Sequence, residues 1–371
     1  MIARSSIRVL LAAALLSAAG CAYFRKPLAQ VPLSQDELDA FVSSGRDARY
    51  YGITTYQDPA GARFEFANRV HQDRGAQMDF VSPRRSRVPV IRARTATFVE
   101  FNFLLDSSAR QNWLLMPSVE AMDYRAFKPP VGEYADHVVA EIPGYAGVAN
   151  KTVLDELHIE SPVYYVPPAR GGLGALARAE EAEKSGADPQ TAKIRRTLGT
   201  RTHAVMGAAL MRSFAYVRID FPGRTVRFSS HSTYKPPVPS AVLANLPMRD
   251  WRGRPAVQAT LDGEPLTLVI DTAGDFQLAL PGESRAGPGV LTLGELKLDA
   301  VRLDSSAALG LPAAFPARLG LGLLSRYIVT LDHKQQRVWI EDPFSAPEKE
   351  SSASEDDETP APVLEYKGIK K

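Results

Sequence analysis

Two aspartates stand where an acid could do chemistry. Val99, Phe101, Phe103 and Leu105 alternate into Asp106-Ser107-Ser108, and Leu266, Leu268 and Ile270 alternate into Asp271-Thr272-Ala273. A period of two marks a half-buried strand, so each carboxyl is delivered at a strand end into a short turn. A second apolar run follows each turn and closes on a proline, Pro117 in one case and Pro281 in the other. Two carboxylates brought together can divide the work of general base and general acid. Other chemistries are poorly supplied. The histidines at 71, 137, 158, 203, 231 and 333 lack metal-ligand spacing, and with Cys21 the only cysteine, neither a metal nor a cofactor is expected. No Gly-x-Ser-x-Gly elbow occurs, and Arg170-Gly-Gly-Leu-Gly174 lacks the Lys-Ser/Thr of a phosphate loop.

The elements that would position the acids recur in order. Upstream of Asp271, Val257, Ala259 and Leu261 alternate, and Asp262-Gly263 supplies the pair that accepts positive φ in a tight hairpin. Downstream of Asp106, Val153-Leu-Asp-Glu-Leu-His-Ile-Glu160 aligns with Thr292-Leu-Gly-Glu-Leu-Lys-Leu-Asp299. Val205-Met206-Gly207 and the stretch through Asp220 parallel Leu319-Gly320 and the stretch through Asp332, with a one-residue slip. Ordered recurrence of three segments argues for duplication of one unit.

This arrangement resembles the aspartic proteases of the retropepsin and pepsin type, in which a strand ends in Asp-Thr/Ser-Gly and an apolar-Gly segment braces the loop carrying the acid. The resemblance implies a mainly β protein. Two acid-protease β-barrel lobes, residues 88–232 and 241–344 joined by a linker at 233–240, would face each other across a central cleft, with a helical insertion near 169–200 in the first. It assigns the catalytic dyad to Asp106 and Asp271, supporting hydroxyls to Ser107 and Thr272, and bracing glycines to Gly207 and Gly320. Residues 118–150 fall where that family places its flap. A dyad of this kind shares one proton, because two carboxylates at close range do not both ionise. The pattern departs at Ser108 and Ala273, where the family has Gly, a residue that permits a tight loop close to the carboxylate. Two functions follow as expectations: a peptide-bond hydrolase acting through an activated water, or a non-catalytic relative that binds peptides or partner proteins along the same cleft.

Composition fits a globular protein, with 371 residues and 45% hydrophobic content. Residues 1–20 read as a secretory signal, with Arg4 and Arg8 ahead of an apolar core and Ala18-Ala19-Gly20-Cys21 resembling a bacterial lipobox. Cys21 is the expected lipidation site, with palmitate among its acyl groups. The expected location is the envelope, facing the periplasm, on the outer rather than the inner membrane. Without Arg4 and Arg8 the 44 basic residues become 42, against 42 acidic ones, which excludes a nucleic-acid footprint. Residues 21–87 read as a tether and N-terminal extension, in which Ser34-Gln-Asp-Glu37 has capping-box spacing. Residues 345–371, with an acidic run from Glu348 to Glu358, have the composition of a disordered tail.

Overall fold

The structure, a computed structural model, describes residues 31–345 apart from 33, 44, 59–60, 66–68, 72–74, 116–117, 121, 128–144, 167–168, 171–201, 283–286, 307–308 and 310–314. The expected signal and Cys21, residues 128–144 of the expected flap, most of the expected 169–200 insertion and the expected tail lie outside the described residues. The protein is mainly β, with large sheets of ten, eight and six strands.

The duplicated pattern in the sequence reappears as duplicated strand pairing. In the ten-stranded sheet, Glu100–Leu105 runs antiparallel to Val90–Thr95 and parallel to Ala204–Met206. Ala204–Met206 in turn lies antiparallel to Trp113–Leu114, and that strand is parallel to Val163–Val166. The eight-stranded sheet repeats each step. Glu264–Ile270 is antiparallel to Arg254–Leu261 and parallel to Ala317–Leu319; Ala317–Leu319 is antiparallel to Leu278–Leu280, which is parallel to Leu303–Ser305. The hairpins Thr152–Glu160 and Gly289–Val301 also match, each adding to the outer side of the corresponding strand.

Local chemistry explains the turns that set this register. Asp262 and Gly263 have φ of 52° and 89° and close a two-residue hairpin in which Leu261 pairs with Glu264. The hairpins aligned by sequence turn at Asp155, φ 52°, and Gly294, φ 61°. The capping box at Ser34 is formed: the Glu37 N–H donates to Ser34 Oγ at 3.3 Å and the Ser34 N–H to Glu37 Oε2 at 3.0 Å, opening the helix Gln35–Ser43.

The six-stranded sheet joins the two halves. Tyr216–Asp220 pairs antiparallel with its counterpart Ile328–Asp332, so the two copies meet at equivalent strands. Thr225–Ser229 and Arg337–Glu341 flank that pair, and Val242–Pro247 closes one edge. The other edge is Ala76–Asp79, and Arg69–His71 adds to the edge of the ten-stranded sheet. Two strands of the stretch expected as an extension are therefore part of the large sheets. Arg224 fastens it further, donating to the carbonyls of Ser82 and Ser86 while its guanidinium lies over Phe80.

The core reflects strand alternation. Phe103, Leu105, Leu268 and Ile270 point into one large apolar cluster that includes Met206 and Leu319. Their neighbours Leu104, Trp113 and Val205 face the other way, into a second cluster with Phe127, Ala48 and Ile53, against which Ala273 packs. Apolar packing from the N-terminal stretch thus extends to the residue two places beyond Asp271.

Candidate active site

Each carboxylate is held by its own turn. Asp106 Oδ1 accepts the N–H of Ser108 at 2.9 Å and of Ala109 at 3.1 Å. Asp271 Oδ1 accepts the N–H of Ala273 at 3.1 Å and of Gly274 at 2.7 Å. Both aspartates are buried, with 2% exposure. Burying a carboxylate is costly unless such donors replace its water. Ser108 and Ala273 fill the family's glycine places without strain. Their amides reach the carboxylate, and neither has a positive φ. The tight approach falls one residue later in the second copy, where a Cβ on Gly274 would lie 2.5 Å from Asp271 Oδ2.

Beneath the turns sit the two bracing glycines. A Cβ on Gly207 would lie 2.1 Å from the Gln111 carbonyl oxygen, and one on Gly320 would lie 2.4 Å from that of Phe276. Both residues have ordinary negative φ, so close approach and not backbone conformation demands glycine. The next residues tie the layers together: the Ala208 N–H donates to the Ala109 carbonyl at 2.8 Å, and the Leu321 N–H to the Gly274 carbonyl at 2.7 Å.

The hydroxyls that follow the acids lock the two turns to each other. The Ser107 N–H donates to Thr272 Oγ1 at 2.9 Å, and the Thr272 N–H to Ser107 Oγ at 3.3 Å. Ser107 Oγ donates to the Ile270 carbonyl at 2.6 Å, while Thr272 Oγ1 donates to the Leu105 carbonyl at 2.9 Å. All of these atoms belong to residues with essentially no exposure, so losing either hydroxyl would strand a buried partner at a cost of roughly 1–3 kcal/mol. Asp106, Ser107, Asp271 and Thr272 are thus brought together, with Gly207 and Gly320 under them.

A cation not anticipated from the sequence joins them. Arg318, 1% exposed, places Nη2 at 3.0 Å from Asp271 Oδ2 and donates to Ser108 Oγ at 2.5 Å. Ser108 Oγ in turn donates to Asp106 Oδ1 at 2.7 Å. One polar chain therefore runs Asp271, Arg318, Ser108, Asp106. Arg254 supports it, its Nε donating to the Ser108 carbonyl at 2.6 Å. Phe315 covers both cations, 5.2 Å from the Arg318 guanidinium and 4.7 Å from that of Arg254, and Trp251 packs edge-on against the ring.

The signal for Arg318 was present in the repeat. Strand register pairs Val205 with Leu104 and Trp113, and Arg318 with Val269 and Ala279, which gives Val205 and Arg318 the same place in the two copies. Ala-Val-Met-Gly in one copy against Ala-Arg-Leu-Gly in the other puts a charge in a buried strand beside an acid. Among the described residues no cluster of His, Cys, Asp and Glu could hold a metal ion.

No family model matches the chain, and no curated protein matches it. Among solved structures, the crystal structure of basic 7S globulin from soybean is similar, with a TM-score of 0.41 and 10% sequence identity over 73% of this chain and 95% of that one.

Proposed function

We propose that this protein is an aspartic-protease-like hydrolase, two acid-protease lobes each contributing one carboxylate, that cleaves peptide bonds through Asp106, Asp271 and an activated water. The observation that carries this reading is the reciprocal hydrogen bonding of Ser107 and Thr272, which fixes the two acid-bearing turns against one another. A fold has no structural need for two buried carboxylates at such a junction, since each costs desolvation. In the proposed reaction one carboxylate takes a proton from water as the oxygen bonds to the scissile carbonyl carbon. The other acid protonates the carbonyl oxygen. The resulting gem-diol collapses with C–N cleavage as the first acid passes its proton to the leaving amine, and the second recovers its own. The test is turnover of a broad peptide library by the chain lacking residues 1–21, with Asp106→Asn and Asp271→Asn each expected to abolish it.

The second reading is a non-catalytic relative that binds extended peptides or envelope partners. Arg318 favours it, because the guanidinium occupies an oxygen of Asp271 that an attacking water would need. Saturable peptide binding with no turnover in the wild type would select it.

We further propose a lipid anchor at Cys21 that places the protein on the periplasmic side of a bacterial envelope membrane, the outer in preference to the inner. The Ala-Gly-Cys ending after an apolar core supports this, and among the described residues no helix is long and apolar enough to cross a membrane. Metabolic labelling with palmitate should mark the wild type and not Cys21→Ala; an unlabelled wild type would contradict the anchor.

A further inference from the structure

We infer that Arg318 is a built-in counter-charge that takes the place of the proton Asp106 and Asp271 would otherwise share. This rests on the reading of the two aspartates as a catalytic pair and concerns how that pair is kept.

Two close carboxylates need one positive charge between them, which a shared proton ordinarily supplies. Here the ion pair of Arg318 with Asp271 supplies it. A guanidinium stays charged under any condition in which a protein is folded. The site therefore reaches the same single negative charge with no proton in it. Ser108 completes the arrangement, since its hydroxyl accepts from Arg318 and donates to Asp106; glycine there would break the chain. The serine of one copy and the arginine of the other thus form one unit across the junction.

Burial argues against an incidental placement. Arg318 Nε and Nη1 are buried and have no hydrogen-bond partner among the described residues. An unpaired buried donor is costly, so a site that only needed to fold would be better served by valine, as at position 205. Nor is Arg318 a surface charge: although strand alternation sets it on the face opposite Ala317 and Leu319, it is itself only 1% exposed. Arg254, also charged and packed against this pocket, is directed to the Ser108 carbonyl and Phe315.

Two consequences follow for the proposed chemistry. Asp271 has two backbone amides on one oxygen and a guanidinium on the other, so both oxygens already hold donors where an attacking water would have to dock. No shared proton is at hand for the scissile carbonyl. Hydrolysis in the wild type is therefore restrained, and an apolar residue at 318 should release it.

Carboxyl protonation can be read directly, by carbon NMR of protein labelled in its aspartate carboxyls. The comparison is wild type against Arg318→Met, which keeps most of the volume, and Arg318→Lys, which keeps the charge; Arg318→Val, matching position 205, replaces Met if that variant does not fold. The wild type and the lysine variant should show no shared proton between Asp106 and Asp271 at mildly acidic to neutral pH. The methionine variant should show one, assigned by its loss in Arg318→Met with Asp271→Asn. An identical proton count in wild type and Arg318→Met overturns the inference. Turnover separates it from the parent reading: the methionine variant should gain about a hundredfold, the lower end of what acid–base catalysis supplies. A changed proton count with no cleavage by either protein would uphold the counter-charge and count against the peptidase.

Discussion

At the scale of single residues, the two aspartates are not equivalent, although the sequence presents them as copies. Asp106 is satisfied by two amides and the Ser108 hydroxyl, whereas Asp271 also neutralises a buried arginine. Asp271→Asn leaves that arginine without its counter-ion, and breaking a buried pair costs roughly 3–5 kcal/mol. Asp106→Asn keeps its ring of donors and a near-isosteric side chain, so its cost should be well under half as large. Urea unfolding of the two variants measures the difference; equal losses would show that the Arg318–Asp271 pair contributes nothing net. Asp106 and Asp271 stand out in the sequence because each ends an alternating strand in a pattern that occurs twice, whereas Ser107 and Thr272 are singled out only by the resemblance that this pattern carries. Arg318 could not be reached by motif, since it lies just ahead of the Leu-Gly that carries the resemblance. Its counterpart, Val205, is marked by the repeat, and the strand register gives the two the same place.

The elements around the site make their own prediction, because both acid turns rest on a glycine that no side chain can replace without movement. Gly207→Ala and Gly320→Ala would drive a Cβ to within 2.1 and 2.4 Å, respectively, of a backbone carbonyl oxygen. Overpacking typically costs about 1–3 kcal/mol, and backbone on the receiving side places these substitutions at or above the top of that range. Thermal melting should fall for both, and substitution without loss would mean the turns are not braced from below. The hairpin at Asp262-Gly263, the capping box at Ser34 and the aligned hairpins at Asp155 and Gly294 were all legible, since each depends on local backbone chemistry. The place of Ala76–Asp79 was not. A four-residue edge strand is specified by the partner it meets, here Thr225–Ser229 about 150 residues further along the chain, and no local pattern encodes that distance.

For the whole molecule, the sheet in which the copies pair strand to strand also carries a titratable group that links stability to pH. His333 follows the central strand Ile328–Asp332, and burial, with the charge of Arg212 adding to it, pushes it down to about 4. It is neutral in the fold, while the unfolded chain takes up a proton near its ordinary value of 6.5. Its contribution is therefore complete above pH 6.5 and is lost as pH falls toward 4, by at most roughly 3 kcal/mol. His333→Gln should flatten the fall in unfolding free energy between pH 7 and 4.5; an unchanged slope would assign that fall to other groups. The repeated sequence segments reappear as repeated strand pairing, and in the joining sheet the equivalent strands Tyr216–Asp220 and Ile328–Asp332 pair antiparallel about Arg218 and Thr330. The central claim is that Asp106 and Asp271 act as one hydrolytic unit. Its most direct test is cleavage of a peptide library by the chain lacking residues 1–21, compared among wild type, Asp106→Asn and Asp271→Asn, each repeated with Arg318→Met to lift the restraint. The account predicts slow cleavage by the wild type, faster cleavage with Arg318→Met, and none in any protein lacking either aspartate. Cleavage that survives both asparagine substitutions, or its complete absence from wild type and Arg318→Met alike, would contradict it.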